Sequence, residues 1–188
     1  MAGGIGSRFW PMSTQKYPKQ FQDILGIGRT MIQQTYDRIS QLVPKENIFV
    51  ITNREYVSLT ASQLPELNHE NIVGEPMMKN TAACNIYMAK KIADLNPNAN
   101  MIVLPADHLI LKETVFLKKV ELAFSLAEKN DYLITLGIKP TRPDTGYGYI
   151  QFVDKKGSEY FKVKTFTEKP DLEIAKTFLE SGDFLWNA

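Results

Sequence analysis

The strongest constraint on the fold is an alternation of two hydrophobic textures along the chain. Ile48–Thr52, Met101–Leu104 and Tyr132–Gly137 are short apolar or β-branched runs bounded by Pro, Asn or Lys. None of them alternates apolar with polar residues, and uninterrupted apolar runs fit strands covered on both faces. Ile72-Val73 is a shorter candidate of the same kind. Helix signals fill the gaps. Thr30 can cap a helix to about Leu42, residues 54–63 form a second candidate, and Asn80 or Thr81 can cap an alanine-rich helix to about Leu95. Phe116, Val120, Ala123 and Ala127 fall at helical spacing and make one apolar face. Asp171 opens a last helix that ends near Gly182. Strands and helices in alternation imply an α/β fold, with a Rossmann-like, mostly parallel sheet flanked by helices. From Tyr149 the texture changes: Tyr149–Val153 and Phe161–Phe166 alternate, as half-exposed antiparallel strands do.

Composition narrows the function classes. The 188 residues amount to about one domain at roughly 150 residues per domain, and 44% apolar content excludes disorder as the main state. The 22 cationic and 21 anionic side chains leave a net charge of +1, so no global field favours nucleic acid or a membrane surface. A single cysteine, Cys84, rules out a disulfide framework and a cysteine zinc site, and reads as a small core residue. His69 and His108 are too few for a His-rich metal site. The apolar runs fall short of the ~20 residues a membrane helix needs. With no signal peptide ahead of the first motif, a cytoplasmic location is expected.

The motif with the most chemical content is Gly3-Gly4-Ile5-Gly6-Ser7-Arg8, followed by Phe9-Trp10-Pro11 and then Pro18-Lys19-Gln20-Phe21. Glycines let the backbone approach a ligand closely, and successive free N–H groups form an anion-binding concavity. The string is neither a Walker A loop nor the dinucleotide fingerprint, because Phe9 stands where the third glycine belongs. Taken alone, it is either a phosphate loop with Arg8 and Lys19 as clamps or a glycine-rich turn with two solvated cations.

The whole string from Gly3 to Phe21 resembles the signature of the sugar-nucleotide pyrophosphorylases, nucleotidyltransferases that act on sugar 1-phosphates. Trp10, Gln20 and Phe21 point to its mannose branch. The resemblance continues through Glu75-Pro76 with Asn80-Thr81-Ala82 and through Leu104-Pro105-Ala106-Asp107-His108. Further blocks are Gly137–Thr141 with Thr145–Ile150, then Phe166–Pro170 and Trp186-Asn187. Lys79, Ala83 and Asp144 depart from the commoner Arg, Pro and Glu.

This resemblance implies a nucleotide-diphospho-sugar transferase fold, incomplete at both ends. A strand is expected to precede Met1, and a second acidic metal ligand to lie beyond Ala188. Residues 1–188 are expected to be one partial catalytic domain. Residues 1–140 form its nucleotide-binding part, and 141–188 begin its sugar-phosphate part. The implied substrates are GTP and mannose 1-phosphate. The alternatives are a thymidylyl- or uridylyltransferase for another sugar 1-phosphate, and a nucleotide-sugar-binding module without catalysis. No nucleic acid or membrane partner is expected, and a homodimer is compatible with the sequence.

By resemblance, Arg8 and Lys19 carry catalysis. Gly3, Gly4, Gly6, Ser7, Glu75, Asn80 and Thr81 hold the nucleotide, and Gly146, Glu168, Lys169 and Asn187 hold the sugar phosphate. Asp107 is the Mg²⁺ ligand. It follows an apolar run, and ligands of open α/β sheets bind beyond the carboxyl ends of strands. Mg²⁺ commonly takes one or two carboxylates plus phosphates and water, although Asp is also an ordinary turn residue. Asn80 and Thr81 can equally be helix caps, and Glu168-Lys169 a surface ion pair. Neighbours on a strand face opposite ways, so the chain must bend at Pro170 if Glu168 and Lys169 are to serve one ligand.

Overall fold

Adjacent strand residues face opposite ways, yet Val50 and Ile51 are both buried. The strand that carries them is therefore covered on two sides. The computed structural model describes residues 1–4, 9–75, 77, 79–154 and 157–187. Strand β1 (Val50–Asn53) places Val50 in a core with Phe21, Ile32, Tyr36 and Ile39, and Ile51 in a smaller cluster with Cys84 and Met88. Strand β2 (Ile72–Glu75) pairs with it in parallel, Val50 opposite Ile72 and Asn53 opposite Glu75. Helix α1 (Met31–Ile39) supplies Ile32, Tyr36 and Ile39 to the first cluster. The second cluster takes Cys84 and Met88 from the helix Asn80–Leu95. These residues form the helix-on-both-sides arrangement expected of an α/β layer, and the lone cysteine is the core residue anticipated for it.

The helix boundaries follow local chemistry. At the start of α1, the Thr30 N–H donates to Gln33 Oε1 at 2.9 Å, the reciprocal half of a capping box. The 54–63 segment divides into a 3-10 turn, Arg54–Tyr56, and helix α2 (Val57–Gln63). In helix α3 (Asn80–Leu95) the N-cap residue makes no side-chain capping bond, so neither Asn80 nor Thr81 is the cap expected from the sequence. Lys79 is the N-cap, and Asn80 opens the helix at φ +65°, a left-handed conformation that Asn tolerates better than most residues. Helix α4 (Glu113–Lys129) turns Val120 fully inward, with Phe116 and Phe124 packed on the same core.

By contact density the chain divides into two compact units, residues 1–132 and 133–188. The second unit is built on antiparallel pairing. Strand β3 (Gly148–Val153) lies between β4 (Lys162–Thr167) and β5 (Phe184–Asn187). Helix α5 (Leu172–Ser181) starts where Asp171 Oδ1 accepts from the Ile174 N–H at 2.9 Å and stops at Gly182, φ +76°. Its Ala175 and Phe178 pack on Tyr149, Phe184 and Trp186, with Phe178 stacked on Phe184 at 3.8 Å between ring centroids.

The expectation of a mostly parallel sheet needs correction. Among the described residues the sheets are a two-stranded parallel pair and a three-stranded antiparallel one. Met101–Leu104 and Tyr132–Gly137 carry the composition of strands but join no ladder. A strand is defined by the backbone beside it. A cavity of about 460 Å³, lined by Phe49, Ile51, Ile102, Val103 and Phe124 among others, lies between the 48–51 and 101–104 segments. The first two residues of the chain bridge these segments. The Met1 amine donates to the Leu104 carbonyl at 2.8 Å and the Ala2 N–H to that of Ile51 at 2.8 Å. The 101–104 run is consequently half-buried rather than fully covered. Leu133 is fully exposed, and backbone pairing in its neighbourhood begins only at an isolated bridge between Ile138 and Trp186.

Phe21 is inaccessible to solvent and meets Tyr56 edge-on at 5.8 Å. Phe21→Ala is expected to lower unfolding stability by about 3–5 kcal/mol, the usual range for emptying a buried aromatic site, as read by urea titration.

Candidate active site

Two residues separated by 88 positions meet where the glycine-rich string leaves the core. The Lys19 ammonium lies 3.5 Å from Asp107 Oδ2 and 3.3 Å from the Asp107 carbonyl oxygen. It also sits 4.6 Å above the centre of the Phe9 ring, whose electron-rich face attracts a cation. Lys19 belongs to a 3-10 turn, Lys19–Phe21, in which Phe21 and Gln20 are both buried. The turn is thus anchored while its charged member faces the acid. Asp107 is placed by the backbone next to it, since the Ala106 N–H donates to the Met1 carbonyl at 2.9 Å. A small cavity of about 80 Å³ opens where Gly4, Gln20 and Asp107 come together.

The stem of the glycine string is held on several sides. The Ala2 carbonyl accepts from Thr52 Oγ1 at 2.9 Å and from Gln20 Nε2 at 2.8 Å, and the same Gln20 amide donates to the Gly4 carbonyl at 3.0 Å. Glu75 ends β2, and a Cβ on Gly3 would lie 3.7 Å from its Oε2. Gly3, Gly4, Lys19, Glu75 and Asp107 therefore cluster beyond the carboxyl ends of the parallel pair and the neighbouring 101–104 run, where ligands of such sheets bind. Gly6, Ser7 and Arg8 lie outside the described residues. Asn80 and Thr81 are exposed at the start of α3.

Burial affects two titratable groups nearby. It pushes the His108 imidazole below its ordinary pKa, against the upward pull of Asp107 and with help from Lys19 and Arg38. The Met1 ammonium is lowered too, again chiefly by desolvation. Lys19 is the side-chain cation paired with Asp107, and the Met1 ammonium also acts on that carboxylate.

The donor set bears on the metal. No group of three or more His, Cys, Asp and Glu converges among the described residues. Asp107 remains partly exposed, with its carboxylate open to a further ligand. One carboxylate next to a glycine-rich stem fits a hard divalent cation that arrives with phosphates and keeps its other ligands from them and from water.

In the second unit, Gly148, Glu168 and Asn187 converge. Gly148 pairs with Asn187 across β3 and β5, and a Cβ on Gly148 would lie 3.3 Å from Glu168 Oε2 and 3.6 Å from Asn187 Cβ. Glu168 and Lys169 form an ion pair at 2.6 Å although they are chain neighbours. The strand ends at Thr167 and Lys169 takes φ +34°, so the alternation of facing is broken there. The chain departs from strand geometry at Lys169, immediately before Pro170. Gly146 is not part of this cluster in the contacts it makes: its N–H donates to Asp144 Oδ1 at 2.8 Å, a bond that holds the Asp144 carboxyl below the usual range. Gln20 takes a part in the first cluster that its motif does not assign to it. A polar side chain between Lys19 and an apolar Phe21 is the signal that could have found it.

A family model described as nucleotidyl transferase matches residues 1–188. The chain is 42% identical over 194 residues to a mannose-1-phosphate guanylyltransferase of Klebsiella pneumoniae and 42% over 193 residues to one of Escherichia coli. All of this chain and 40% of each relative are covered, so the chain spans less than half the length of these curated relatives. A solved structure from Thermus thermophilus, described as a mannose-1-phosphate geranyltransferase, superposes with a TM-score of 0.87 at 30% identity, over 100% of this chain and 53% of that one. A Helicobacter pylori structure described as a mannose-6-phosphate isomerase gives 0.75 at 27% identity, over 91% and 63%.

Proposed function

The chain belongs to the nucleotidyl transferase family, and from that premise we propose that it serves the transfer of GMP from GTP to α-D-mannose 1-phosphate, releasing pyrophosphate. The observation that carries this reading is the meeting of Lys19 with Asp107 beside the glycine stem. The choice of mannose and guanine is supported by the names of relatives matched along the whole chain.

Both substrates are anions. A sugar-phosphate oxygen attacks the α-phosphorus in line and the bond to pyrophosphate breaks. The attacking oxygen is already ionised near neutral pH, so no general base is needed, and catalysis reduces to alignment and charge neutralisation. Lys19 supplies a compact positive charge for the α-phosphate as negative charge gathers there. Arg8 offers a planar fork suited to the leaving pyrophosphate. Gly3, Gly4, Gly6 and Ser7 offer backbone N–H groups to the nucleotide phosphates. Asp107 would hold Mg²⁺, whose positive charge would lower the repulsion among the phosphates. Glu75 lies beside Gly3. A carboxylate there can accept from both N1–H and the N2 amine of guanine, whereas thymine and uracil present one N–H between two carbonyls. Asn80 and Thr81 complete the nucleotide side.

The sugar-phosphate side is assigned to Gly146, Glu168, Lys169 and Asn187. The shared contacts of Gly148, Glu168 and Asn187 support a compact cluster for sugar hydroxyls, with the Lys169 ammonium available to a phosphate. Residues 1–140 would then act on the nucleotide and 141–188 begin the sugar-phosphate part. A cytoplasmic setting and assembly as a homodimer belong to the same reading. Among the described residues, no helix is long and apolar enough to cross a membrane.

The test is pyrophosphate release with each nucleoside triphosphate against mannose 1-phosphate and glucose 1-phosphate. GTP with mannose 1-phosphate is expected to exceed every other pair. Preference for TTP or UTP with glucose 1-phosphate would replace this reading, and GTP binding without product would favour a binding module. Lys19→Ala is expected to lower turnover on the order of 10²–10³-fold with an unchanged circular dichroism spectrum. Glu75→Gln should narrow the preference for GTP over UTP by about 10-fold or more, as measured by the ratio of kcat/KM values.

A further inference from the structure

We infer that Gln20 is a positioning residue that fixes the stem of the glycine-rich string from Ala2 to Gly4, a role resting on the reading of that stem as part of the nucleotide-phosphate site. Only 3% of its surface is exposed. A side-chain amide has two N–H donors and one oxygen. Two backbone carbonyls, those of Ala2 and Gly4, face it at 2.8 and 3.0 Å. Carbonyls only accept, so the NH₂ end must point at the loop and both of its donors are used. One amide thereby spans the first glycine of the string and ties the carbonyls on either side of it.

The consequence for ligand binding follows from peptide geometry. In a trans peptide the C=O and the next N–H point in opposite directions. Holding the Ala2 carbonyl toward Gln20 turns the Gly3 N–H to the opposite side. Glycine has the widest backbone freedom of any residue, so Gly3 and Gly4 would otherwise sample many arrangements of their N–H groups. The Gln20 clamp removes that freedom before a phosphate arrives, and preorganised donors bind more tightly than donors that must first be ordered. Thr52 shares the work at one end only, since its hydroxyl reaches the Ala2 carbonyl at 2.9 Å and not that of Gly4.

The same short turn divides three tasks among consecutive residues. Phe21 fills the core, Gln20 grips the loop, and Lys19 faces Asp107. A displaced turn would therefore disturb the phosphate charge and the loop together. Replacing Gln20 alone separates the two, because Lys19 and Phe21 keep their own contacts.

The experiment uses the full chain and two variants. Gln20→Leu keeps the size and removes both donors. Gln20→Asn keeps the amide on a stem one carbon too short to reach both carbonyls, and guards against a leucine variant that fails to fold. Two readouts are taken. Amide hydrogen exchange in a peptide spanning the glycine string should accelerate about 10-fold or more in the variants, while a peptide from α1 exchanges as before. The Kd for GTP with Mg²⁺, by calorimetry, should rise about 10-fold or more, and the KM for mannose 1-phosphate should stay within about twofold. Unchanged exchange in the string would overturn the clamp. Faster exchange with an unchanged GTP Kd would overturn its role in binding. An equal rise for GTP and mannose 1-phosphate would show a merely structural residue. If the parent chain binds no GTP at all, the functional reading falls and takes this inference with it, a result distinguishable because the exchange measurement does not depend on the nucleotide.

Discussion

The peptide of Ala2 is the junction on which the first unit depends. Its N–H reaches the Ile51 carbonyl, and its own carbonyl receives both the Thr52 hydroxyl and the Gln20 amide. Ala2 is itself buried. A buried backbone group must find a partner or lose free energy comparable to a hydrogen bond. Here every bond it makes also holds an element of the candidate site. Strand β1 fixes one side of the glycine stem and the Lys19–Phe21 turn fixes the other. The next bond along, from the Ala106 N–H to the Met1 carbonyl, brings Asp107 alongside. Lys19 and Asp107 meet because both of their supports are tied to the same two residues.

Each unit draws on a different property of strands. In the first, the parallel pair ends at Asn53 and Glu75, so the loops that follow open on one side. In the second, antiparallel register sets Gly148 directly opposite Asn187, and the missing side chain of the glycine leaves space for Glu168. Substitution there would crowd a carboxylate and a backbone carbonyl at 3.3 and 3.4 Å. The exposed Glu168–Lys169 pair adds little to stability, as surface ion pairs rarely do, which leaves both side chains inexpensive to redirect toward a ligand.

Much of this is legible in the sequence, and the remainder is hidden for identifiable reasons. The Thr30 cap, the Asp171 cap, the Gly182 stop and the inward face at Val120 are local signals, and local geometry obeys them. The two-sided burial of β1 is readable from its unbroken apolar run. Pairing is not, because a ladder is a property of neighbours in space. Met101–Leu104 has the residues of a strand and a cavity where a neighbour would lie. Motif strings point to Lys19, Asp107, Glu75 and Glu168 as chemical types, but no spacing conveys that residues 88 positions apart lie 3.5 Å from each other. Strict strand alternation puts Glu168 and Lys169 on opposite faces; the positive φ of Lys169 is a backbone event that a Lys-Pro pair only hints at. Gln20 carries no reactive chemistry of its own, and a positioning role is visible only in what the side chain holds.

If the glycine stem, Lys19 and Asp107 form one nucleotide-phosphate site, a crystal structure of the chain with GTP and Mg²⁺ will show the phosphates lying against Gly3 and Gly4. An α-phosphate oxygen is expected within about 2.7–3.2 Å of Lys19 Nζ, and the metal on the Asp107 carboxylate. A nucleotide bound with its phosphates away from Lys19, or a metal held elsewhere, would contradict that assignment.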